Sequence, residues 1–169
     1  MTSHIARSSL ACCLLQLLAG CGFQLRSWDL SSSIDSFYVQ AAANNPLEQP
    51  LRRGLLQAGV PQADSAASAA VVVTLHELRR SRRGVSVTPR SRVAEYELNL
   101  DARFGLRAAD KELLVSQWAR ASRVFRVDRD NLVASNEEQA LLEREMRADL
   151  VQQILRALNA VTAVDSDAV

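Results

Sequence analysis

Residues 93–107 read Val-Ala-Glu-Tyr-Glu-Leu-Asn-Leu-Asp-Ala-Arg-Phe-Gly-Leu-Arg. Ala94, Tyr96, Leu98, Leu100, Ala102, Phe104 and Leu106 alternate with Glu95, Glu97, Asn99, Asp101, Arg103 and Gly105. A period of two over this length is the pattern of a long strand with one buried and one wet face. Ala108 to Lys111 supplies a turn. Leu113–Val127 then gives a second strand, with Val115, Ala119, Ala121, Phe125 and Val127 in phase and Trp118 and Val124 on the other face. Two long strands across a short turn make a hairpin.

Upstream, Val71–Leu75 is β-branched and opens a strand running to Leu78 or beyond. Ser81–Ser91 breaks it, punctuated by Gly84 and Pro89. Gln62–Ala69 is an Ala/Ser-rich loop. Leu47, Leu51, Leu55 and Ala58 share one face of a short helix that starts near Asn45-Pro46, or a turn later because of Pro50, and is capped by Gly59. Phe37-Tyr38-Val39 is a short strand. Downstream, Ser135-Asn136-Glu137-Glu138 forms a capping box that opens a helix to about Asn159. Leu142, Met146, Leu150, Ile154 and Leu158 recur every four residues, with Val151, Leu155 and Val161 widening the stripe. The order strand, helix, strand, strand, strand, helix predicts an α/β (α+β) two-layer domain over 37–160. It has a four-stranded mixed sheet with two helices packed on one face. Residues 161–169 are expected to fray.

The start of the chain has a different character. His4 and Arg7 precede an apolar stretch, Leu10–Leu18, too short to span a bilayer but suited to a secretion signal. Leu18-Ala19-Gly20-Cys21 resembles the lipobox of bacterial lipoproteins, whose Cys becomes the acylated N-terminus. Residues 1–20 are therefore expected to be a signal peptide, Cys21 the lipidation site, and residues 21–36 a tether containing Ser31, Ser32 and Ser33. Two or more acyl chains anchor stably, where one binds only marginally. Gly22 follows the Cys, where an Asp would be an inner-membrane retention signal, so the outer membrane is the expected address.

Several classes of chemistry are excluded by counting. Cys12 and Cys13 leave with the signal, so Cys21 is the last Cys and no internal disulfide or Cys-based zinc site is available. His4 leaves as well. His76 stands alone, and no two-His metal motif can form. His76-Glu77 lacks the oriented third group that acid–base catalysis needs. The three consecutive Ser have no nucleophile-elbow context. Glu95, Glu97 and Asp101 are explained by strand alternation. No catalytic set, metal site or cofactor is expected, and the chain does not read as an enzyme. Arg7 also departs, leaving 19 basic against 19 acidic residues, so net charge calls for no polyanion.

Charge distribution is more telling. Arg79, Arg80, Arg82, Arg83, Arg90 and Arg92 lie within 14 residues, with only Glu77 nearby as a counter-charge. Arg presents a planar fork that donates two hydrogen bonds to one phosphate or carboxylate. Like charges crowded into one loop would be relieved by a polyanion. Val85, Val87 and Pro89 could add apolar contact. A solvated charged loop, or one paired with acidic residues of a partner, reads equally well. Arg120 and Arg126 are even-numbered and Arg123 is odd, so a regular strand cannot put all three on one face. Trp28 and Trp118 read as packing residues rather than a stacking platform, which leaves no nucleic-acid module.

The chain resembles the lipopolysaccharide-assembly lipoprotein family, LptE. The likeness is carried by Cys21-Gly22-Phe23-Gln24-Leu25-Arg26 after the lipobox, by Arg92-Val93-Ala94-Glu95-Tyr96-Glu97-Leu98 entering the hairpin, and by Asn136–Leu158. The resemblance implies a non-catalytic outer-membrane protein. Such proteins plug and help assemble a large β-barrel translocon, LptD, and bind lipopolysaccharide (LPS) on its way to the surface. It makes the six Arg the LPS-contact candidates. A generic outer-membrane scaffold for peptidoglycan or another envelope complex is the alternative.

Overall fold

A computed structural model describes residues 30–86, 93–108, 111–128 and 131–166. Strand β1 (Phe37–Ala41) leads into helix α1 (Glu48–Gln57). Strands β2 (Val71–Ser86), β3 (Val93–Ala108) and β4 (Lys111–Asp128) follow, and helix α2 (Leu132–Ser166) closes the chain. The sheet order is β1-β2-β3-β4. β1 runs parallel to β2, which needs the crossover that α1 provides, and the other pairs are antiparallel. Both helices cover one face, as the order of elements predicts.

The core lies between those layers. Leu98, Leu100, Ala102, Phe104 and Leu106 of β3 are buried, in phase with the quoted alternation. They meet Met146, Leu150, Ile154 and Leu158 of α2, all 1% exposed or less. Each such side chain contributes about 1.5–3 kcal/mol on leaving water. α1 buries Leu51 and Leu55, with Leu47 and Ala58 at its ends. It turns out through Gly59, whose φ of 82° is the left-handed conformation a helix end favours. Where α1 crosses α2, Gly54 has no side chain, and a Cβ there would lie 3.1 Å from a Val151 methyl.

Five expectations are corrected. β2 does not break at Ser81. It pairs with β3 as far as Ser86↔Glu95, because the long edge of β3 offers hydrogen bonds that local turn signals cannot outweigh. Val115 is 71% exposed rather than in phase. Phe104 faces Gln117 but Leu106 faces Leu114, so β4 carries an extra residue and its alternation inverts there. Helix α2 starts at Leu132, with Asn131 Oδ1 accepting the Ala134 N–H as the cap. Ser135, read as the cap, instead binds Asp128 N–H through its hydroxyl. The same helix continues to Ser166, and Thr162 is buried, so residues 161–166 are not a frayed tail. Finally, Leu30 and Ile34 are buried and Leu30 N–H donates to Ala58 C=O, so the domain begins inside the expected tether.

Candidate functional site

Alternation along β2 sorts the cluster onto two faces. Arg79 pairs in register with Asp101 and Arg83 with Glu97, both on the wet face. Arg80 pairs with Leu100 and Arg82 with Leu98, so their side chains emerge on the helix side. A single loop of mutually repelling charges does not exist over these four residues. Arg90 and Arg92, like Cys21 and Trp28, lie outside the described residues.

On the wet face the acids Glu77 of β2 and Glu95 and Glu97 of β3 are each bound by an Arg of the sheet. Arg79 Nε donates to Glu77 at 2.6 Å, and Arg103 Nε stands 3.8 Å from the other Glu77 oxygen. The hydrogen bond from Arg79, with the two positive charges, holds the Glu77 carboxyl below the usual carboxylate range. Glu97 accepts from Arg83 through two nitrogens, at 3.0 and 2.5 Å, and from Ser122 Oγ at 3.1 Å. Those hydrogen bonds, the Arg83 one foremost, lower its pKa as well. Arg126 binds Glu95 at 2.8 Å. Sequence reading names only Glu77 as a counter-charge. Glu97, 14 residues away, and Glu143, 63 residues away, come from other elements.

The helix side is arranged around Glu143. Its carboxylate accepts from Arg80 Nη1 at 3.1 and 3.3 Å and from Gln139 Nε2 at 3.0 Å, and lies 3.9 Å from Arg147. Gln139, Glu143 and Arg147 stand four residues apart on α2, the spacing that could have revealed them. Arg82 differs from its neighbours. Its guanidinium lies 3.8 Å from the Tyr96 ring centroid and 5.6 Å from that of Phe125. One nitrogen donates to Gln139 Oε1 at 3.3 Å. No carboxylate pairs with it among the described residues. Arg82 is exposed, and so is Val85 three residues on. The end of the sheet therefore presents a cation supported by aromatic rings, with an exposed Val85 farther along the same end of β2. Arg79 also lies over an aromatic ring, 4.8 Å from that of Trp118, which gives that Trp a packing role.

Arg120, Arg123 and Arg126 separate as their numbering requires. Arg120 and Arg126 are exposed on the wet side, while Arg123 turns to α2 and pairs with Asp149. Among the described residues no group of His, Cys, Asp and Glu could hold a metal ion, and no helix is long and apolar enough to cross a membrane.

The LptE family, described as lipopolysaccharide-assembly, matches residues 34–158. The fold is similar to rare lipoprotein B from Shewanella oneidensis, with 25% identity and a TM-score of 0.68 over 79% of this chain and 99% of that one. A lipoprotein B from Nitrosomonas europaea gives 26% identity and a TM-score of 0.69, covering 84% and 93%. A minor lipoprotein from Acinetobacter baumannii, at 21% identity and a TM-score of 0.61 over 75% and 93%, shares the fold. No curated protein matches the chain.

Proposed function

The chain belongs to the LptE family of lipopolysaccharide assembly, and on that footing we propose that it is an outer-membrane lipoprotein that plugs an LptD-like β-barrel, helps it assemble, and touches LPS with the Arg82 end of its sheet. The observation that carries the LPS contact is Arg82. It is exposed, has no carboxylate partner among the described residues, and is supported by Tyr96 and Phe125. LPS combines anionic sugar–phosphate groups with acyl chains, and a guanidinium beside apolar surface suits both parts. Arg90 and Arg92 lie between β2 and β3 in the sequence and remain candidates by residue type. Arg79, Arg80 and Arg83 already hold carboxylates, so they contribute less to a new anion.

Polarity of the fold supports the reading. Leu30 is bound to the turn after α1, and β1 pairs with the start of β2 at Val71. From Val71 to Arg82 is 11 steps along a strand, about 36 Å. Leu30, beside the Val71 end, and Arg82 thus stand at opposite ends of the sheet, so a plug anchored through the residues before Leu30 would present the Arg82 end away from its anchor. A wet sheet face that pairs Glu77, Glu95 and Glu97 with its own Arg suits a polar lumen wall.

Affinity capture of the acylated chain from solubilised envelopes tests the proposal. A large heat-modifiable barrel and LPS should both be retained, and the absence of both would favour the scaffold reading. Replacing Arg79, Arg80, Arg82, Arg83, Arg90 and Arg92 together by Ser should weaken LPS binding and flatten its salt dependence. Unchanged affinity would remove LPS contact from this segment.

A further inference from the structure

β4 is the last strand of the sheet, and a strand of 18 residues with one open edge invites pairing with another chain. Its backbone at Arg120 is occupied by a side chain from α2. Arg120 N–H donates to Gln153 Oε1 at 3.1 Å, and Gln153 Nε2 donates to Arg120 C=O at 2.8 Å. A primary amide that binds one residue's N–H and C=O together reproduces the bonds a neighbouring strand would make. Backbone groups alternate along a strand, so Trp118 and Ser122 face outward with Arg120. The Ser122 carbonyl is taken too, by Arg123 Nη1 at 2.9 Å. Arg123 is itself held by Asp149, one turn before Gln153 on α2. Arg120 and Arg156 add charge beside the groove that these residues line.

We propose that Gln153, with Arg123, closes the β4 edge against a second copy of this chain. Two such edges are identical, so antiparallel pairing about a two-fold axis through the Arg120 region would satisfy both at once and double the four-stranded sheet. The amide clasp withdraws the two central bonds of that pairing. Arg120 opposite its own copy adds like-charge repulsion. A lipid-anchored chain meets its copies at high local density, where an open edge would divert it from any other partner.

Gln153→Ala in the full chain tests this by backbone hydrogen exchange and sedimentation. In dilute solution the Arg120 amide should exchange about tenfold faster, the loss of one hydrogen bond. In concentrated solution the variant should sediment at twice the monomer mass, with new protection at Trp118, Arg120 and Ser122. Gln153→Glu keeps the acceptor for N–H but loses the donor to C=O, so it should fall between, and it carries the test if the Ala variant does not fold. Gln152→Ala, at an exposed neighbour on the same turn, should behave as the parent. A Gln153 variant that folds yet stays monomeric at all concentrations overturns the proposal. So does a dimer protected elsewhere, or equal dimerisation by Gln152→Ala.

Discussion

The guanidinium of Arg82 lies 3.8 Å from the centre of the Tyr96 ring, on the strand next to its own. Its charge is oriented by an aromatic face, and among the described residues no carboxylate neutralises it, so it remains available. Arg83, the next residue, is bound to Glu97. On the proposed LPS contact, Arg82→Ser should therefore weaken LPS binding about tenfold or more, on the scale of one hydrogen bond to a charged group, and Arg83→Ser much less. Equilibrium binding at two salt concentrations checks this; equal losses would show that only summed charge matters.

Glu143 joins α2 to the far end of β2 while its side chain is 15% exposed. Glu143→Ala leaves Arg80, Arg147 and Gln139 without their shared acceptor and should cost about 1–2 kcal/mol in urea unfolding. Arg80→Ala should cost less, because its side chain is 63% exposed and Glu143 keeps other partners.

Two glycines of the sheet, Gly105 on β3 and Gly84 on β2, should respond oppositely to Ala. A Cβ on Gly105 would lie 3.0 Å from the Val115 carbonyl oxygen and 3.1 Å from His76 Nε2, at the point where β4 bulges. Since backbone cannot step aside cheaply, Gly105→Ala should lose about 1–3 kcal/mol. Gly84 has nothing within 4 Å of its Cβ position. Gly84→Ala should be neutral or gain up to about 0.5–1 kcal/mol from reduced chain entropy. Paired thermal or urea melts compare them.

The Glu77 and Glu97 carboxyls are held below the usual carboxylate range by their Arg partners. On acidification the unfolded chain takes up these protons first. Their contribution is therefore complete above the ordinary Glu value of about 4.3 and fades as pH drops through the lower folded values. Glu97→Gln should make stability fall less steeply with acid in that window and leave the slope near neutrality unchanged. Urea midpoints across an acid series read this directly.

On the proposal that Cys21 is the acylated N-terminus, Cys21→Ala should abolish acylation and release the chain from washed membranes. Retention of the variant through carbonate washing would contradict a lipid anchor at Cys21.

Sequence alone determined the elements whose signal is local and repetitive. The alternation of β3 from Tyr96 to Leu106, the Leu stripe of α2 and the Gly59 turn all appear in the fold where their spacing put them. Burial is periodic, and so the pattern of apolar residues records it. The length of β2, the inverted phase at Val115 and the cap at Asn131 were decided by neighbouring elements. The site depended still more on tertiary structure. Six Arg within 14 residues read as one cluster of repelling charge with Glu77 alone nearby, yet Glu97 and Glu143 neutralise Arg83 and Arg80 across 14 and 63 residues. Only the packed chain separates the occupied cations from Arg82, because a charge's partner is set by distance in space and the sequence records distance along the chain.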